Sequence, residues 1–594
     1  EPIQRLLLSD QHGEEPHLNP QPVDFCDYLV LLGQSFAAIL ETQALLPQGL
    51  SEQLQHPSIR LLPGESVVTR MNLAFREPEP AMRQVGLVRG LFYLTGYRVV
   101  FLAYDEESRA KLDLEVPICF LRTASILNRD ASAFFLALEL LDKRNLVIGF
   151  DASDRWLATL RESIITLLRS AKRDHRNAFA FAFKHESNPL CSVQPSALAS
   201  PQIVADDSSK GQDWGWRLYN PAAEFARLGL TEAKDKDGLW RCLNLETHAK
   251  LGLPVFAVPA MVTSQHIVDM QNYREMGRLP AVVWCNPRTQ ATLARAAQPR
   301  TTGPVLDELI VDSLRKANPS NSEVIYVAAM GSRRARGYNK AVFICKGAPA
   351  LEDVRMSFVK LCQAVVSQHR LSACQPDTHS ELLPFMADLG AHSNYPERPS
   401  WLGMLETSRW LEGVRLLLRD AVVVASCLEL KKATVLVTGH TGVDRVASVV
   451  ALAQLLLDPY YRTMEGFAIL IEKEFLSFGH PFSQRLGLSE GPGEQRGEIF
   501  VQFLDSVWQI MQQFPTMLQF NERFLQELLE SVFSCRFGTF LFDSASERLE
   551  AGAHRSTLSV WTHLLHAQAR AGHTNPFFES YSDLLTSSSS SSST

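Results

Sequence analysis

The stretch VLVTGHTGVDRVASVVALAQLLLDPYYRT, Val435 to Thr463, decides the fold. Val435 to Val437 read as a strand, Gly439 to Arg445 as a short glycine-containing loop, and Val446 to Leu457 as an apolar run of helical period. Strand, tight loop and helix N-terminus together form an anion cradle, because free backbone N–H groups and the helix dipole converge on the loop. An arginine closing the loop adds a bidentate grip on phosphate. A nucleophile is missing.

Working outward, 594 residues are too many for one core, which predicts two folded domains plus tails. A hydrophobic content of 46% with 21% charged residues is that of a soluble globular chain, and the longest apolar stretch near the start, Phe25 to Leu40, is too short and polar to span a bilayer. The net charge of −7 argues against a general nucleic-acid binder. Ten scattered cysteines without a C-x-x-C pair suit a reducing compartment and give no zinc or disulfide framework, so no metal or cofactor is expected. The chain does not begin with methionine, which leaves a targeting signal open.

Residues 1–55 read as a tail containing one helix, about Asp24 to Leu45. Over 56–175, short β-rich runs separated by turn residues predict an antiparallel sheet or small barrel, closed by an amphipathic helix from Arg155 to Lys172. That is the layout of a pleckstrin-homology type domain. Residues 176–213, rich in Ser, Pro, Ala and Asp from 187 onward, read as a linker. Residues 214–581 alternate strand candidates with helices (Leu351–Gln368, Trp401–Leu430, Ala447–Leu457), which predicts an α/β fold with a mainly parallel sheet. Residues 582–594 form a disordered Ser-rich tail.

Several segments resemble the myotubularin-related phosphoinositide phosphatases. GLFYLTGYRVVF (Gly90 to Phe101) is similar to the core hairpin of that family's PH-GRAM module. WRLYNPAAEFARLGL (Trp216 to Leu230), GLWRCLN (Gly238 to Asn244), GRLPAVVW (Gly277 to Trp284) and AAQP (Ala296 to Pro299) resemble early segments of its phosphatase domain. DPYYRTMEGFAILIEKEFLSFGHPF (Asp458 to Phe482) and FVQFLDSVWQIMQQFP (Phe500 to Pro515) follow in the family's order. The resemblance implies a PH-GRAM domain, a pleckstrin-like β-barrel plus helix, followed by a cysteine-phosphatase-like α/β domain.

Active members of that family carry Cys-Ser-Asp-Gly-Trp-Asp-Arg in the loop. Here those positions hold Gly439, His440, Thr441, Gly442, Val443, Asp444 and Arg445. The family reaction needs a cysteine thiolate, its pKa depressed from about 8.5 to roughly 3.5–7.5 by the helix N-terminus and arginine. Glycine offers none, and the aspartate associated with acid catalysis is Thr441. Substitutes are poor: the Thr438 side chain should point to the other face, Cys427 lies twelve residues earlier, and His440 lacks a proton donor at 441. The loop is expected to be catalytically silent.

Arg445 has two readings, a phosphate ligand or a structural arginine paired with Asp444, Glu472 or Glu474. Arg333, Arg334 and Arg336, between glycines and ending in Gly337 and Tyr338, are lipid-headgroup candidates or a solvated loop. Arg70, Arg76, Arg83 and Arg89 form a candidate basic rim of the first domain or scattered surface arginines. His480, Trp508 and Trp561 read as packing.

By resemblance the expected role is a pseudophosphatase adaptor, the regulatory subunit in a hetero-oligomer with an active myotubularin-related phosphatase, cytoplasmic and peripheral on endosomal phosphoinositide membranes. The rivals are a lipid-binding module without such a partner and a phosphatase with a relocated nucleophile. No sustained heptad follows Phe578, where many family members dimerise through a coiled coil.

Overall fold

A computed structural model describes residues 59, 61–76, 88–104, 110–130, 133–141, 144–150, 154–183, 213–230, 239–244, 255–300, 305–330, 338, 340–344, 349–373, 400–490 and 495–579. The N-terminal helix, most of the linker, the serine tail, Arg83, Arg333, Arg334 and Arg336 lie outside them. The described residues fall into two compact units: those up to Lys172 with Arg355–Glu412, and Arg173–Val354 with Gly413 onward.

In the first unit seven antiparallel strands, β1 (Val67–Arg76), β2 (Val88–Thr95), β3 (Arg98–Tyr104), β4 (Ala110–Pro117), β5 (Leu121–Asp130), β6 (Ala133–Leu140) and β7 (Asn145–Phe150), run in the order β4-β3-β2-β1-β7-β6-β5. Helix α1 (Asp154–Arg173) follows. It buries Leu157, Leu160, Ile164 and Leu168, a three-and-four spacing that places them on one face. Arg98, 2% exposed, is held by Glu65 (Nε to Oε1, 2.9 Å) and by Glu115, so a charge at the β2–β3 turn is buried only because two carboxylates meet it.

The second unit opens with α2 (Pro221–Arg227), β8 (Trp240–Asn244), β9 (Val255–Pro259), α3 (Ser264–Tyr273), β10 (Ala281–Cys285), β11 (Thr292–Ala297), α4 (Val305–Lys316), β12 (Ile325–Met330) and β13 (Ala341–Ile344). Helices α5 (Leu351–Ala373), of which only Leu351–Val354 fall in this unit, and α6 (Trp410–Glu429), which belongs to it from Gly413, precede β14 (Thr434–Gly439), α7 (Arg445–Leu457) and α8 (Met464–Ile471). Helices α9 (Ile499–Gln513), α10 (Glu522–Ser534), α11 (Val560–Leu564) and α12 (Ala567–His573) complete it.

Its sheet runs β13-β12-β14-β11-β10-β9-β8. The expected mainly parallel sheet needs correction. β13, β12, β14 and β11 are parallel, whereas β11, β10, β9 and β8 pair antiparallel. Only residues 286–291 separate β10 from β11, too few for the crossover a parallel pair requires. The helix expected over Trp401–Leu430 is also interrupted: Arg409 adopts a left-handed φ of 58° and ends a first segment, Trp401–Ser408.

β14 is flanked on both sides by parallel partners, and all six of its residues are buried. Helix α7 is buried from Val446 to Leu456, so its apolar residues are not confined to one stripe; it lies within the core, packed against α9. Beneath it stands an aromatic cluster in which Phe475 meets Phe503 at 4.8 Å and Phe482 meets Phe500 at 5.0 Å.

Candidate functional site

The loop between β14 and α7 begins where the strand leaves two parallel neighbours, Ala297 opposite Gly439 on β11 and Met330 opposite it on β12. Gly442 turns the chain with φ +75°, and a Cβ there would lie 2.9 Å from Ala297 N. Both the dihedral and the close approach require glycine. Gly439 is restricted differently. A Cβ on it would meet Val446 Cγ2 at 2.9 Å and Met330 Cβ at 3.3 Å. Val446 is buried in the first turn of α7, where a β-branched side chain has one favoured rotamer and cannot swing aside. The space where a side chain at 439 would begin is filled.

Four groups pin the loop through its carbonyls. The backbone N–H of Gln298 donates to Gly439 O at 2.7 Å. Arg278 Nη1 donates to Thr441 O at 3.2 Å, and Arg295 Nη2 to Gly442 O at 2.6 Å. His480 Nδ1 lies 3.0 Å from Val443 O and 3.3 Å from Asp444 Oδ1. Both are acceptors, so Nδ1 carries the proton. His480 Nε2 is buried without a hydrogen-bond partner among the described residues.

Electrostatically the loop sits among arginines. Arg295 is buried and donates from Nη1 to Glu474 Oε2 and to Glu474 O, each at 2.7 Å, with its guanidinium 4.2 Å from the Phe478 ring. Arg278 hydrogen-bonds to the carbonyls of Thr441 and Gly479; burial and the neighbouring Arg295 push it down to about 10, against the pull of Asp444. Asp444 is gripped by Arg485 through Nε and Nη2, each at 2.9 Å. Burial opposes its ionisation, but the hydrogen bonds from His480 and Arg485 outweigh this and hold the carboxyl well below the usual range. Arg445, first residue of α7, is half-buried; burial draws its pKa down while Asp444, Asp353 and Asp420 favour its charge.

The carboxylates expected opposite Arg445 also have partners of their own. Glu474 is engaged by Arg295 and by Gln454 Nε2 at 2.8 Å, and Glu472 accepts Trp561 Nε1 at 2.6 Å. The oxygens of Asp444 face Arg485 and His480. His480 is buried against backbone as expected, though it also meets Asp444. Thr438 is buried and donates to Ala297 O at 3.1 Å, and Cys427 is buried within α6. His440 is exposed, its Nδ1 2.7 Å from Gln298 Nε2.

The remaining candidates lie elsewhere. Arg70 is exposed on β1 and stacks 5.5 Å from the Tyr93 ring centre. Arg76 pairs in register with Val88, and Arg89 with Phe75. Tyr338 is anchored, donating to Asp307 Oδ2 at 2.5 Å and accepting from Arg274 Nη2 at 3.1 Å. Sequence reasoning passed over Arg278 and Arg485 as site residues. Each stands in a quoted or neighbouring motif, GRLPAVVW and SQRLG, where an arginine inside an apolar context was the available signal. No group of three or more His, Cys, Asp or Glu able to hold a metal occurs among the described residues. No helix among them is long and apolar enough to cross a membrane.

Comparison with known proteins agrees with this geometry. Residues 199–549 match the myotubularin-like phosphatase domain. Myotubularin of Rattus norvegicus is 29% identical over 533 residues, covering 87% of this chain and 79% of that protein. Phosphatidylinositol-3,5-bisphosphate 3-phosphatase MTMR8 of Homo sapiens is 31% identical over 407 residues, 65% of this chain and 53% of that protein. Phosphatidylinositol-3,5-bisphosphate 3-phosphatase MTMR6 of Mus musculus is 32% identical over 378 residues, 63% and 58% respectively. With a loop of this shape closing β14 onto α7, and a domain match spanning more than half its length, the chain belongs to the myotubularin family.

Proposed function

We propose that this chain is a catalytically inactive myotubularin-like protein, a pseudophosphatase that acts as regulatory adaptor of an active phosphoinositide 3-phosphatase on endosomal membranes. One observation carries the reading: at the end of β14 stands Gly439, and Val446 occupies the space its side chain would need. Phosphoryl transfer through a covalent intermediate requires a nucleophile aligned with the phosphate, and no side chain of the loop supplies one. The seven-stranded N-terminal sheet with its helix supports a PH-GRAM assignment, which would give the adaptor a membrane contact of its own. A partner that binds only the folded enzyme stabilises it by mass action, about 2.7 kcal/mol at a hundredfold excess over Kd. The test is co-expression with active myotubularin-type phosphatases, followed by co-precipitation and a lipid phosphatase assay. Co-purification with a change in the enzyme's level, location or rate is expected. If no relative co-purifies and none changes, the adaptor reading is rejected.

A second reading, a phosphoinositide-binding module without a phosphatase partner, is favoured by the presence of two arginines, Arg445 and Arg278, at the loop. Binding of the purified chain to phosphoinositide liposomes, lost in Arg445→Ala, would support it.

A further inference from the structure

Away from the loop, the segment from α12 to Glu579 is laid back across the start of α10. Asn521 N donates to His573 O at 2.8 Å, and Asn575 N to Gln519 O at 2.8 Å. The Asn575 side chain donates to Pro515 O at 2.7 Å and Leu518 O at 2.9 Å, and Glu579 N to Thr516 O at 3.0 Å. These bonds are neutral. The exception is His573, 1% exposed, whose two ring nitrogens point at two different elements. Nδ1 lies 3.2 Å from Leu564 O at the end of α11, and Nε2 lies 3.0 Å from Glu527 Oε2 on α10.

Both contacts are acceptors. A neutral imidazole carries one N–H, so one nitrogen would present a lone pair to a carbonyl or a carboxylate in a buried place. Only the imidazolium satisfies both. We propose that His573 is a protonation-dependent clasp: charged, it fastens the segment Ala567–Glu579 to α10 and α11, and neutral, it lets that segment lift.

The surroundings fit one charge at this point. On α10, Arg523 Nε donates to Glu527 Oε1 at 2.9 Å, and the Phe524 ring stands edge-on to His573 at 5.6 Å. Burial raises Glu527, yet the hydrogen bond and charge of His573 outweigh it and hold the carboxyl at about 2. On α11, His563 stacks on Phe537 at 5.2 Å; desolvation and Arg536 push it down to about 3, so it stays neutral. His566, between α11 and α12, is likewise lowered by burial. Because the fastened segment holds a proton that the lifted one releases, fastening is strongest at low pH and weakens as pH rises.

Hydrogen exchange on the whole chain reads this directly, through the amides of Asn521 and Asn575 between pH of about 6 and 8.5, after correction for intrinsic rates. Their protection should fall as pH rises, at most about tenfold per pH unit, the slope of one proton. His573→Gln and, independently, Glu527→Gln should flatten that dependence. Protection in the wild type that is the same across the range overturns the proposal, as does an undiminished slope in either folded variant. Should both variants unfold, the wild-type slope decides: a fall confined to these amides supports the clasp, and a flat or chain-wide profile rejects it.

Discussion

At the scale of single residues the site is decided by Gly439 and Val446 as a packed pair. Introducing a thiol with Gly439→Cys forces its Cβ against Val446 Cγ2 and Met330 Cβ. Overpacking of this kind costs about 1–3 kcal/mol, so the variant should melt lower than the wild type and remain inert. Calorimetry and a phosphate-release assay check both halves; turnover above an Arg445→Ala control would contradict the second. Asp444 is the complementary case. Replacing it with Asn leaves the buried Arg485 without its carboxylate, which should destabilise the chain by about 3–5 kcal/mol in urea titration. Its carboxyl is depressed in the fold, so its contribution is complete above the ordinary aspartate pKa of about 3.9 and is lost as pH falls through the folded value. Acid unfolding of Asp444→Asn should therefore be less steep.

Among elements, the turn at Gly442 and the helix break at Arg409 test how local conformation is enforced. Gly442→Ala meets a positive φ and the backbone of Ala296 and Ala297 together, neither of which can yield. A loss of about 2 kcal/mol or more in chemical denaturation is expected. Arg409, exposed at a helix cap, holds the same left-handed region with a full side chain. Arg409→Gly should therefore be neutral or stabilising by up to about 1 kcal/mol. A loss larger than that would mean its side chain contributes more than its backbone conformation costs.

Over the whole molecule, what the sequence disclosed was what short range determines. The strand and helix around the loop were readable because a three-residue apolar run, a glycine turn and a helical period each act over a few positions: β14 and α7 lie within two residues of expectation. The antiparallel half of the second sheet was not, since apolar strands look alike whichever way they pair and only the short β10–β11 connection betrays the direction. The arginines were least legible. Arg278 and Arg295 reach the loop from positions 163 and 147 residues away in sequence, and nothing near them announces a partner.

That distant anchoring has an outcome for how the chain tolerates change. The loop keeps its shape because its carbonyls are tied by Gln298, Arg278, Arg295 and His480; the exposed His440 ring meets the Gln298 side chain, and the Thr441 side chain takes no part in those ties. Positions 440 and 441 are therefore free to drift, whereas the two glycines and Asp444 are not. In a saturation library scored by abundance of folded protein, 440 and 441 should accept most residues while 439, 442 and 444 reject nearly all. A surface that can be rewritten without disturbing its support is a ready starting point for acquiring a new ligand.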